Sequence, residues 1–253
     1  MKTTYTALAH YWSLRQMLNV KEWFFISDDD PTLQSAVFRA FKDDFLSGYA
    51  NYFVCQNAKY PSIAISKARF LKMKEELKSW ARNKGLNDQA PKEQLALKKL
   101  KEDLQEHTFY SYKRYNGQDY PVKAKSPIDH PSPDEDEGLR KIKIISDLSA
   151  LTPEQLASLI VQVNSRTINN FFQEIRRSIN LLERPLSDAK GDGKTYIYSN
   201  YNPKYAQYLV TIMRTYYNFC WVADNNYGER RTPAQRLGLT NKVFTARDIV
   251  YFS

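Results

Sequence analysis

Cysteine is scarce in this chain, and the little there is lacks metal spacing. Cys55 and Cys220 are its only two, with no C-x-x-C pair, which excludes a thiolate zinc site and a disulfide framework alike. Cys55 lies in an apolar run and Cys220 among aromatics, so both are expected as buried thiols. Long apolar runs are missing too. None reaches the ~18 residues that a membrane-spanning helix needs. The opening segment, MKTTYTALAHYWSLRQMLNV, has no apolar signal region and no small-residue cleavage site. The expected compartment is therefore cytoplasmic, with no membrane partner. No internal repeat is visible.

What is present is aromatic and basic. The chain has 253 residues, the size of one large domain or of one domain with an insertion. Eighteen Tyr and 13 Phe supply a sizeable core. The formal charge is +9, and from residue 160 onward 13 Lys and Arg stand against 7 Asp and Glu. Such an excess favours polyanions, nucleic acid first, although a basic surface also serves solubility alone.

Periodicity divides the chain. Residues 5 to 19 read as an amphipathic helix with Leu8, Trp12, Leu14, Met17 and Leu18 near one face. EWFFIS is a short apolar strand. Asp30 then caps a helix opened by Pro31, whose missing N–H had no partner to lose, and Leu33, Val37, Ala40, Phe41 and Phe45 form its stripe. YANYFVCQ is the next strand. Residues 66 to 107, rich in Lys, Glu, Leu and Ala and broken at GLNDQAP, predict a helical hairpin. Residues 113 to 145 hold four prolines and an acidic cluster, and read as loop or linker.

Order returns at Thr152-Pro153 with Gln155 completing a capping box. SRTINNFFQEIRRSINLL, 165 to 182, is the best-patterned helix, with Ile168, Phe171, Phe172, Ile175, Ile179 and Leu182 on one side. KTYIYSNYNP reads as a short extended segment. Asn202-Pro203 starts a helix carrying Leu209, Ile212, Met213, Tyr216 and Tyr217. RRTPAQRLGLT holds a capped one- to two-turn helix stopped by Gly238.

Two places could carry chemistry. A carboxylate at the end of a buried strand is well placed to hold a hard cation, because the strand fixes it and Mg²⁺ wants oxygen ligands in rigid geometry. In FFISDDDPTL that carboxylate is Asp28; Asp30 is explained as a cap, and Asp29 most simply points to solvent. On the 165–182 helix, Asn169 and Arg176 lie about 20° apart on one flank of the apolar stripe, and Glu174 falls about 140° from Asn169 on the other. The first pair can present a metal-facing and a phosphate-facing group together, or be a solvated helix edge.

ISDDDPTLQSAVFRAF resembles the second-carboxylate segment of DDE-type insertion-sequence transposases and integrases. TINNFFQEIRRSINLLERP is similar to their third-carboxylate helix, in which an acid stands two residues before Phe-Phe and a base seven later. RRTPAQRLGLT resembles the Thr-Pro-Ala-x-x-Leu-Gly-Leu ending that closes many such domains. The likeness spans about 20 to 56 and 155 to 242. It implies an RNase H-like α/β domain in which three carboxylates hold two Mg²⁺ or Mn²⁺ ions for attack on a phosphodiester. By the resemblance, the second carboxylate falls on Asp28 and the third on Asn169, with Arg176 as the basic partner and Arg177 beside it. Asp28 and Asn169 would be the metal ligands, and Glu174 is the nearest acid to a position held here by an amide.

The chain departs from that pattern twice. No Asp precedes Asp28, so the first carboxylate strand is expected to be missing. Asn169 cannot neutralise a second cation. The expected fold is thus α/β, a truncated RNase H-like domain with a short sheet and packed helices, carrying a helical insertion. Its expected segments are 1–64 (first part of the core), 65–145 (helical insertion and Pro/acidic linker) and 146–253 (second part and C-terminal helices). The expected function is that of a transposase-like protein of a mobile element, inactive alone in DNA integration, binding DNA through Arg176, Arg177, Arg230, Arg231 and Arg236. Expected partners are DNA, a full-length transposase or an upstream-encoded half, and a second copy of the chain. A non-catalytic DNA- or transposase-binding remnant and a helical interaction protein stay open as alternatives.

Overall fold

The computed structural model describes residues 3–57, 63–107, 110–123, 127–132, 139–182, 186–187, 194–195, 202–222 and 230–251. These fall into two compact units, Met1–Arg15 with Asn19–Ser165, and Gln16–Leu18 with Arg166–Ser253.

Helix α1 (Thr3–Met17), which belongs to the first unit up to Arg15, precedes strand β1 (Trp23–Ser27) of that unit. Helices α2 (Pro31–Ala40) and α3 (Lys42–Leu46) then lead to β2 (Ala50–Asn57), which lies parallel to β1 with Phe25 opposite Tyr52. The helices between them are what a parallel pair needs, since a tight turn cannot join its ends. Next come α4 (Ile63–Asn83) and α5 (Lys92–Glu106), the expected helical hairpin. Strands β3 (Tyr110–Tyr115) and β4 (Gln118–Lys123) pair with each other, and β5 (Ile128–Asp129) and β6 (Arg140–Ile144) extend the main sheet. Helix α6 (Pro153–Ile160) follows, with the expected capping box between Thr152 and Gln155. The main sheet has the order β1-β2-β6-β5, with β6 antiparallel to both its neighbours.

β2 is buried on both faces, which is why its apolar run is nearly continuous. On one face Tyr52 packs with Val37, Ala40 and Phe41, and Leu8, Tyr11, Trp23 and Phe25 close that cluster. On the other, Phe53 and Cys55 meet Leu100 and Leu104 of α5, Ile142 of β6, and Leu156 and Ile160 of α6. The unit is therefore α/β, a small mixed sheet between packed helices.

Two expectations change. Residues 113–145 contain much of β3, all of β4 and two strands of the main sheet, where composition predicts loop. Asn116 and Gly117 both take positive φ, 50° and 79°, the geometry of a two-residue hairpin turn that glycine tolerates without a Cβ clash. Residues 124–126 and 133–138 of that stretch lie outside the described residues. On α1 the residues that pack are Leu8 and Tyr11, while Trp12, Leu14 and Met17 are exposed. The helix turns so that Arg15, one turn after Tyr11, reaches Asp44 at 3.0 Å and the Ala40 carbonyl at 3.3 Å. The division between the two units falls near residue 165, so β5, β6 and α6 lie in the same unit as β1 and β2.

The second unit holds α7 (Arg166–Ser178), a 3-10 turn (Asn180–Leu182), the short pair β7 (Leu186–Ser187) and β8 (Lys194–Thr195), α8 (Pro203–Phe219), α9 (Pro233–Arg236) and α10 (Ala246–Val250). The extended reading of KTYIYSNYNP falls on residues 194–203, of which 196–201 lie outside the described residues. Phe171 of α7 meets Tyr217 of α8 edge-on, with ring centroids 5.0 Å apart. The α7 stripe is only partly covered, since Ile168 and Phe172 are exposed while Ile179 is buried. On α8 likewise, Ile212 and Tyr216 face solvent rather than the core. Cys220 is half-buried rather than buried, and burial raises its thiol above the ordinary range.

Candidate functional site

The aspartate run sits just past β1, at the carboxyl ends of the parallel pair. Open α/β sheets commonly bind ligands at such strand ends. Each carboxylate is placed differently. Asp30 accepts from the Thr32 N–H at 2.7 Å and caps α2, the role its sequence context predicts. Asp29 does not simply face solvent, as the sequence suggests. It accepts from Gln34 Nε2 on α2 at 3.0 Å, from Gln56 Nε2 on β2 at 2.8 Å, and from the Lys143 ammonium on β6. Lys143 above all holds the Asp29 carboxyl below the usual carboxylate range. Asp28 is exposed, and its backbone carbonyl accepts from Ser27 Oγ and from the Asp30 N–H, both at 2.8 Å. Ser27 Oγ lies 2.7 Å from the Tyr52 hydroxyl, which ties the strand end to the buried face.

This geometry bears on the divalent metal that the resemblance implies. Asp29 already has a protein cation and Asp30 serves a helix end, which leaves Asp28 as the free carboxylate of the run. Among the described residues no three His, Cys, Asp or Glu side chains converge on a metal position. The carboxylates described do not fit a two-metal centre.

The other sequence candidates lie in the second unit. Asn169 is exposed on α7, Glu174 and Arg176 are half-buried, and Arg177 is exposed near the helix end. Arg230 and Arg231 are exposed and run directly into Thr232, which is fully buried and forms a capping box with Gln235 at α9. Arg236 is exposed in the last turn of α9. The cap holds that turn in place, so these arginines stand on an ordered element. Asp28 belongs to the first unit, and Asn169, Glu174 and the five arginines to the second.

Sequence reasoning did not find two other groups. One is a buried polar network beside β5 and β6. Arg140, almost wholly buried, donates to the Ser132 carbonyl at 2.9 Å and the Val163 carbonyl at 3.3 Å. His130 Nδ1 accepts from the Ser132 N–H at 3.1 Å, and Nε2 lies 3.3 Å from the Val161 carbonyl. This assigns the neutral imidazole with its proton on Nε2. The other is an exposed tyrosine face on α8, whose signal was the helical spacing of its tyrosines. Comparisons with protein-family models, with curated proteins and with solved structures find no match for this chain.

Proposed function

We propose that this chain is a transposase-like, DNA-binding protein of the integrase class, built on an RNase H-like plan and without strand-transfer activity of its own. The observation that carries the reading is the β1–α2 junction: a half-buried strand parallel to its neighbour, with Asp28 one residue past its end and a capped helix directly after. That is the setting in which the family it resembles places its second carboxylate. The occupied state of Asp29 and the amide at Asn169 support the inactive form of the reading. The ordered arginines around α9 support DNA as the partner.

DNA affinity measured against salt tests this. Each phosphate neutralised steepens the slope of log K against log salt by about 0.9 on duplex DNA. The purified chain binds duplex DNA of any sequence at low salt, and Arg230→Ala with Arg231→Ala flattens the slope by about 2. No binding to duplex DNA at low salt would overturn the reading in favour of a protein-interaction role.

A further inference from the structure

α8 presents a second apolar face that no described residue covers. Tyr205, Tyr208, Ile212 and Tyr216 are 61%, 51%, 66% and 51% exposed. At about 100° per residue these four fall within about 80° of one another around the helix. The opposite side carries Tyr217, which packs on Phe171 and stacks on Trp221 at 4.9 Å. The exposed row is therefore additional to the face that holds the unit together. An apolar face of this kind marks an interaction site.

Charge chooses the partner. α8 carries Lys204 and Arg214 and no acidic residue. The Lys204 ammonium lies over the Tyr208 ring at 5.7 Å, so a cation stands beside the aromatic row. The chain from residue 160 onward has a basic excess of 6, which repels a second copy of itself and attracts a polyanion. Ring geometry chooses its form. Successive side chains of the row are offset by about 4.5 to 6 Å along the helix axis, wider than the about 3.4 Å between stacked bases of one DNA strand. Tyrosine rings can stack only on bases whose faces are free, and a duplex hides them.

We infer that the Tyr205–Tyr208–Ile212–Tyr216 face of α8 binds unpaired bases of single-stranded DNA, with Lys204 beside its backbone phosphates. The inference rests on the reading of the chain as a DNA-binding protein and adds a strand preference with its own residues. In the family resembled, the expected site is the carboxylate cluster; this face shares no residue with it and uses no metal.

Fluorescence anisotropy with the full chain, a labelled oligo-dT and a labelled duplex of equal length tests it. Each tyrosine lost to alanine should weaken oligo-dT binding about five-fold or more. Tyr205→Ala with Tyr208→Ala therefore selectively removes single-strand affinity while the duplex affinity holds. Tyr205→Phe with Tyr208→Phe, which keeps the rings, retains oligo-dT binding. Circular dichroism checks that the exposed substitutions leave the helix intact. Unchanged oligo-dT binding by the alanine variant, with duplex binding kept, overturns this inference alone. Equal losses on oligo-dT and duplex overturn it as well. Loss of binding to both DNAs by the wild-type chain overturns the DNA reading itself. A dimer of the wild-type chain in sedimentation that the alanine variant dissolves would assign the face to a second copy instead.

Discussion

Lys143 and Asp29, 114 residues apart in sequence, form an ion pair that ties β6 to the end of β1. Gln56 and Gln34 complete the contact, so one carboxylate joins two strands and a helix. The pair is about one-third exposed on each side, and solvent screens it.

Asp29→Asn therefore lowers stability by less than about 1 kcal/mol, read as a shift in urea midpoint, and the difference fades in high salt. The sign with pH follows from the depressed carboxyl. Its contribution is present above the usual carboxylate range and is lost as pH falls through the lower folded value. Asp28→Asn leaves the midpoint unchanged. Equal midpoints for the two variants would show that the bridge contributes nothing.

His130 gives a larger pH effect in a different window. Burial, reinforced by the neighbouring Arg140, pushes its imidazole down to about 4 from an ordinary value of 6.5. The folded protein then binds fewer protons than the unfolded chain between those values. Stability is complete above about pH 6.5 and falls as pH drops towards 4, by on the order of 3 kcal/mol. Urea midpoints across that range should fall in the wild-type chain and stay flatter in His130→Gln. A parallel fall in the variant would assign the effect to other groups; His107, also held down by burial, is the first to test.

Local signals were the legible part of this fold. The caps at Asp30, Thr152, Asn202 and Thr232 each need only a side chain and a backbone N–H two or three residues away, and all four form. The paired strands β1 and β2 were legible because both are apolar and β2 is buried on both faces. β6 was not, because Arg140, Lys141 and Lys143 give it a charged composition beside a proline-rich stretch. Its Arg140 is nonetheless buried, its charge met by carbonyls from distant segments. The Asn116-Gly117 turn was readable from its dipeptide and was masked by the surrounding prolines. The Lys143 partner of Asp29 leaves no pattern in sequence at all, since nothing local fixes a contact across 114 residues. On α8 the apolar positions were legible as a stripe, but which of two faces they occupy depends on what packs against Tyr217.

Helix α5 is part of the first unit's core, and α4 packs on α5 through Leu77, Ala81 and Leu95. Leu100 is fully buried between Phe53, Ile142 and Ile160. Leu100→Ala should cost about 2–5 kcal/mol, the range for emptying a packed core position. A chain from which 65–106 is deleted should then fail to give a cooperative urea transition. A cooperative transition in the deleted chain would instead support the reading of this segment as a separable insertion.

The proposed function predicts that the chain alone will not nick or join DNA. Two-metal phosphoryl transfer needs enough carboxylate charge to hold two ions about 4 Å apart. In the aspartate run, Lys143 neutralises Asp29 and the Thr32 N–H engages Asp30, so Asp28 alone is free to take a cation. Asn169 offers a carbonyl oxygen without charge, and Glu174 lies about 140° around α7 from it. One free carboxylate cannot balance two divalent ions, whose hydration is costly to replace. Supercoiled plasmid incubated with the purified chain and Mg²⁺ or Mn²⁺ should remain supercoiled, even at salt low enough for DNA to bind. Asp28→Ala should leave both the plasmid result and duplex affinity unchanged. Metal-dependent nicking that follows the chain through purification and disappears in Asp28→Ala would overturn this, and would place a ligand for the second ion outside the described residues.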